Sequence, residues 1–162
     1  MKNKPAPLWT IALLAMALAS PALAVDGVLE INQACAVNTG CFRGDAAGLP
    51  VTITAAGSYR LTGNLTVPDE NTDGITVSAN DVGIDLNNFA IIGPVTCSGS
   101  PLTCSPASGT GSGVEGTSSS VLGTSVKNGS ITGMGQAGIL LTDVQNEATN
   151  LRARWNRVVG IS

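Results

Sequence analysis

Histidine is absent from all 162 residues. That removes a Ser–His–Asp nucleophilic centre in its usual form and any help from imidazole in a zinc site. Aromatic residues make up 3% of the chain and charged residues 12%. Cations are too few for a nucleic-acid or anionic-membrane surface. Beyond residue 24 no apolar run is long enough to cross a bilayer as a helix. What remains is rich in Gly, Ser, Thr, Asn and Val, a composition that favours strands and turns over helices.

Residues 1–24 read as an export signal. Lys2 and Lys4 give the positive start, Leu8 to Ala19 the apolar stretch, and Pro21 the break. Ala22-Leu23-Ala24 supplies small residues at the cleavage positions. The alternative is an uncleaved anchor. A chain starting at Val25 suits one domain and loses both lysines. It keeps six cations against eleven acids, a net charge of −5. The expected location is secreted, periplasmic or cell-surface. All four cysteines fall in the exported part, in two close pairs, Cys35 with Cys41 and Cys97 with Cys104. Short-loop disulfides are expected; other connectivities and a zinc site stay open on spacing alone.

Asn128 and Asn150 lie 22 residues apart, and so do Gly138 and Gly160. Val126-Lys127-Asn128-Gly129-Ser130-Ile131 aligns with Ala148-Thr149-Asn150-Leu151-Arg152-Ala153. A repeat of this length with β-type composition predicts stacked coils of chain. A second match lies 40 residues apart: Gly83 with Gly123, Leu86 with Val126, Asn88 with Asn128, Ile91 with Ile131, Gly93 with Gly133. The excess over one repeat is about the length of residues 94–111. That Ser/Gly/Pro-rich stretch holds Cys97 and Cys104 and reads as an inserted loop stapled at its base. About 22 residues accommodate three short strands and three turns. Ile84, Leu86, Ile91 and Ile131 are expected to point inward and stack. Asn88, Asn128 and Asn150 fall at one repeat position and predict an asparagine ladder; the alternative is ordinary turn asparagines. Residues 25–50 read as a cap over the open end, with a short helix or strand within Val28–Val37. Residues 51–162 read as the coils. The rival is an antiparallel hairpin turning at Asn128-Gly129.

Three runs carry a resemblance: Gly57-Ser58-Tyr59-Arg60-Leu61-Thr62-Gly63-Asn64-Leu65, Val82-Gly83-Ile84-Asp85-Leu86-Asn87-Asn88-Phe89, and Asn128-Gly129-Ser130-Ile131. Over roughly residues 50–162 the chain resembles bacterial secreted right-handed parallel β-helix proteins of the pectin-lyase-like superfamily. The resemblance implies an all-β, three-sheet solenoid. It implies a family of polysaccharide lyases, hydrolases, epimerases and adhesin-like binding proteins. Members usually have more coils. Gly160-Ile161-Ser162 looks like the start of another repeat, so a longer parent is expected.

Gly133-Met134-Gly135-Gln136-Ala137-Gly138 spells a dinucleotide fingerprint but lacks its context. A strand-like segment follows where a helix is needed, and no acid stands at positions 156–160. Asp69, Glu70 and Asp73 crowd three carboxylates into five residues, a calcium-like oxygen cluster, and the resemblance implies calcium as a bridge to acidic sugar. The competing reading is a solvated turn whose Asp and Asn cap their own backbone, with no cofactor. Arg152, Arg154 and Arg157 are the one cationic cluster, with Trp155 among them. Guanidinium binds carboxylates in two-toothed fashion, and an indole stacks on a sugar ring. The competing reading is a solvated face with the tryptophan filling the interior. Asp81 and Asp85 share a face if extended, but nothing sets them above surface acids.

The expected function is a non-catalytic exported binding or structural module with polysaccharide as partner. The alternative is a pectate-lyase-like, calcium-dependent polysaccharide enzyme or a fragment of one. The acids at 69–73 and the arginines at 152–157 stand three to four coils apart, about 14–20 Å of stack. That is too far for one chemical centre, which turns the reading away from catalysis.

Overall fold

The computed structural model describes residues 27–118, 120–142 and 145–162; the segment read as an export signal, residues 1–24, lies outside them. The described residues are all-β, with one six-residue helix. In order come β1 (Val28–Ile31), α1 (Gln33–Asn38), β2 (Val51–Ile53), β3 (Gly57–Leu61) and β4 (Leu65–Thr66). Then follow β5 (Ile75–Val77), β6 (Val82–Asp85), β7 (Ala90–Ile92), β8 (Thr96–Ser98) and β9 (Thr103–Ser105). The rest are β10 (Val114–Gly116), β11 (Ser125–Thr132), β12 (Ala137–Leu140), β13 (Glu147–Arg154) and β14 (Val159–Ile161).

Every pairing except β8–β9 is parallel, and each joins strands far apart in sequence. One series runs β1, β3, β6, β11, β13. A second runs β4, β7, β11, β13, because the long strands β11 and β13 continue through a corner. A third runs β2, β5, β10, β12, β14. Asn128-Gly129 therefore sits inside a continuous parallel strand and does not turn a hairpin.

The repeat length varies. Ser125 pairs with Glu147 and Ala137 with Val159, both 22 positions on. Val51 pairs with Ile75 after 24, Gly57 with Val82 after 25 and Leu65 with Ile91 after 26. The uniform 22-residue coil thus holds only for the last two layers. The match of Gly83 to Gly123 is also displaced by two: Gly83 pairs with Ser125 and Ile84 with Val126. The cause is a turn. Residues 86–89 span the corner between β6 and β7, where β11 needs only 128 and 129. Past that corner Ile91 pairs with Ile131 as expected. The insertion at 94–111 contains the antiparallel β8–β9 hairpin, closed by Cys97–Cys104.

Alternate residues fill the interior. Ile84, Leu86, Ile91, Val126 and Ile131 are all at most 1% exposed, and Leu61, Ile75, Val114 and Met134 are fully buried. Each large aliphatic side chain withdrawn from water contributes about 1.5–3 kcal/mol. Where the third series meets the second, only glycine fits. A Cβ on Gly113 would stand 2.3 Å from Ile131 Cγ2 and 2.5 Å from the Gly138 carbonyl oxygen. Gly74 and Gly138 are crowded in the same way by the glycine of the next layer.

At the N-terminal end, β1 already pairs with β3, so the first series begins inside the segment read as a cap. Asn32 caps α1 by accepting from the Cys35 N–H at 3.1 Å. Ala36 of the helix is fully buried against the core, and Cys35–Cys41 closes the loop behind it. Outside, Glu30, Arg60, Asp85 and Lys127 occupy one register column of the first series and alternate in sign. Such neighbours contribute roughly 0.2–1 kcal/mol each.

Candidate functional site

Asn88, Asn128 and Asn150 all take left-handed backbone, with φ of 64°, 60° and 50°. This conformation turns the chain at the corner, and asparagine tolerates it better than most residues. The side-chain ladder is shorter than the sequence suggests. Asn150 Nδ2 donates to Asn128 Oδ1 at 3.0 Å, and Asn128 Nδ2 donates to Asp85 Oδ1 at 3.1 Å. Asn88 stands outside that chain; its backbone N–H donates to the Asn128 carbonyl at 2.7 Å while its side chain is exposed. Asp85 takes the expected place because the longer β6–β7 turn shifts Asn88 past it.

Arg152 and Arg154 lie two apart on β13 and point outward, as strand alternation requires. Register places Ser130 of β11 beside Arg152 and Thr132 beside Arg154. Trp155 follows at φ 53° and is 60% exposed. The reading of an interior tryptophan is therefore overturned. Left-handed backbone at the strand end swings the indole to the outer side, at a cost of roughly 1–3 kcal/mol for a bulky residue. Ser130, Thr132, Arg152, Arg154 and Trp155 together line an open depression of about 280 Å³. No carboxylate lines it. Neither the Arg152 nor the Arg154 guanidinium has a hydrogen-bond or ion-pair partner among the described residues.

Arg157 does not join them. Its Nε donates to the Gly135 carbonyl at 2.7 Å, and its Nη2 and Nη1 reach the Gly109 and Ala107 carbonyls at 3.3 and 3.5 Å. It ties the inserted segment to the turn before β12. The sequence showed only an arginine near two others; its partners are backbone carbonyls about 20–50 positions away, which carry no side-chain signal.

The acids at 69–73 serve the turn. Asp69 accepts from the Asn71 N–H at 2.9 Å and from the Thr72 hydroxyl at 2.9 Å. Those two bonds hold its carboxyl below the usual aspartate range. Asp73 accepts from the Ser112 N–H at 2.7 Å, and the Glu70 carbonyl accepts from the Gly111 N–H. Among the described residues no group of three or more Asp, Glu or Cys is placed to hold a metal ion, so Asp69, Glu70 and Asp73 do not converge on one.

An acid that sequence reasoning passed over lies nearby. Glu115 pairs in register with Thr76, on the strand entered directly after Asp73. Partial burial first, and the Asp73 carboxylate second, push its carboxyl above the ordinary glutamate range. The neighbouring Ser112 hydroxyl offsets this only in part; it is buried and makes no hydrogen bond of good geometry. Only the register between strands 39 residues apart reveals this neighbourhood. Comparison with family models, curated proteins and solved structures finds no match for this chain.

Proposed function

We propose that the chain is an exported right-handed parallel β-helix module that binds acidic carbohydrate on the outer face of β11 and β13. The fold reading draws support from three series of parallel pairings, each stepping in one direction along the chain. It also agrees with the resemblance to the pectin-lyase-like superfamily. Export draws support from the two disulfides, which suit an oxidising compartment. No helix among the described residues is long and apolar enough to cross a membrane.

The observation that carries the binding reading is the depression itself. Two unpaired guanidinium groups, an exposed indole and two hydroxyls meet there, with no carboxylate among them. Guanidinium forks match planar anions, and an indole covers the apolar face of a sugar ring. A uronate presents both features on one residue. The same set holds no carboxylate to seat calcium or to transfer a proton, which favours binding over turnover.

The test is retention on an immobilised acidic polysaccharide, with a neutral dextran column as control. The protein should be retained on the acidic column alone, and salt should weaken retention. Arg152→Glu with Arg154→Glu should abolish it. Retention unchanged by that double reversal, or measurable release of unsaturated uronides, overturns the reading.

A further inference from the structure

A second depression adjoins the first. It measures about 130 Å³ and sits at the corner where the chain turns between the first and second series. Asn88, Gly129, Ser130, Asn150, Leu151 and Arg152 line it. Ser130 and Arg152 line the Trp155 depression too, so the two share a wall. The corner is rich in uncommitted amide. The Asn88 side chain has no hydrogen-bond partner among the described residues. Asn150 commits one N–H to Asn128 and keeps its carbonyl oxygen and second N–H. Their left-handed backbone is what places these polar side chains at an outer bend.

We propose that this corner is a second subsite, so that the ligand is a chain of at least two sugar units running from Trp155 to the asparagines. This rests on the acidic-carbohydrate reading above. One unit lies against Trp155. Arg152, the shared wall, takes an acidic group between the two sites. The hydroxyls of the next unit meet the Asn88 and Asn150 amides, which offer both donors and acceptors, as a sugar hydroxyl requires.

Isothermal titration at low salt with glucuronate and with its linear trimer tests this. The trimer should bind about tenfold more tightly, the gain from one or two added hydrogen bonds. Asn88→Gly and Asn150→Gly, which suit the positive φ at both positions, should each remove part of that gain. Together they should bring the trimer to the level of the monomer. Asn88→Gly breaks no side-chain bond within the protein, so its effect is free of any loss of fold. Equal affinity of the unaltered protein for monomer and trimer overturns the second subsite and leaves the Trp155 depression standing. So does a trimer preference that survives both substitutions. Failure of both ligands to bind overturns the acidic-carbohydrate reading, and this inference with it.

Discussion

The two ends of the strand stack are built on different chemistry. At the N-terminal end, side chains stand in for a missing strand. The Gln33 amide bonds both main-chain groups of Thr66 on β4: Oε1 accepts at 2.6 Å and Nε2 donates at 3.2 Å. The Asp45 carboxylate accepts from the Thr52 N–H of β2 at 2.9 Å and from the Cys41 N–H at 2.8 Å. In the first series β1 lies along β3 and is itself the edge strand. At the other end, among the described residues, β13 and β14 are each paired on one side only. Trp155 and Val158 are 60% exposed and Ile161 is 46% exposed. On the binding reading proposed above, the contrast separates stability from recognition. Bound polar groups and buried side chains gather at the first end, and unpaired arginines with an outward indole gather at the last.

The strongest way to break this contrast is to work along the glycine column of the third series. Gly113→Ala forces a Cβ into Ile131 and the Gly138 backbone and should cost about 1–3 kcal/mol or more by overpacking. Gly160→Ala, in the last layer, meets nothing nearer than Ala153 Cβ at 3.3 Å and should change stability little. Ile131→Ala, in the filled interior, should cost about 2–5 kcal/mol. Urea unfolding ranks all three; equal costs for Gly113→Ala and Gly160→Ala would erase the distinction between the middle and the last layer.

The disulfides come next. Cys35–Cys41 and Cys97–Cys104 close loops of similar size, with sequence separations of 6 and 7. Loop entropy alone assigns each about 2–3 kcal/mol. The first clamps a helix packed on the core; the second closes an exposed hairpin that opens without disturbing the core. Replacing Cys35 and Cys41 by serine should show the full loss in global unfolding, and replacing Cys97 and Cys104 should show much less. A smaller effect follows from Asp45→Ala, which leaves two N–H groups unpartnered and should cost about 1–3 kcal/mol.

The smallest effect is a pH dependence. Glu115 is raised in the folded protein, so folding favours its protonated form. Its contribution is most favourable below the ordinary glutamate range and is lost as pH rises through the raised value. Asp69 acts in the opposite sense and only at lower pH, below the ordinary aspartate range, where its lowered pKa matters. Glu115→Gln should therefore raise stability at neutral pH and flatten the pH profile above the glutamate range. A profile unchanged by Glu115→Gln would mean that Glu115 stays ionised at no cost.

Much of this plan is legible in the sequence. The spacing of Asn128 with Asn150 and of Gly138 with Gly160 is the register of β11 with β13 and of the β12–β14 pair. Ile84, Leu86, Ile91 and Ile131 alternate inward as their pattern requires. Both cysteine pairs close as spacing suggested. What escaped depends on turn length and on backbone partners. Counting along the chain cannot tell that residues 86–89 fill a corner that residues 128–129 fill elsewhere, so the spacing match of Gly83 to Gly123 falls two positions short of Ser125. Gln33, Asp45 and Arg157 act on main-chain groups remote in sequence, and main-chain groups leave no trace in side-chain pattern. Trp155 escaped because one left-handed residue reverses the side to which alternation would assign it.

Trp155 is also the direct reporter of the account. A chain beginning at Val25 lacks Trp9 and keeps Trp155 as its only tryptophan. Its emission should be solvent-like and readily quenched by acrylamide in the free protein. Adding an acidic oligosaccharide should shift the emission and protect it from quencher in a saturable way, with weaker protection at high salt. A tryptophan already shielded in the free protein, or one that stays fully quenchable at saturating oligosaccharide, would contradict the account.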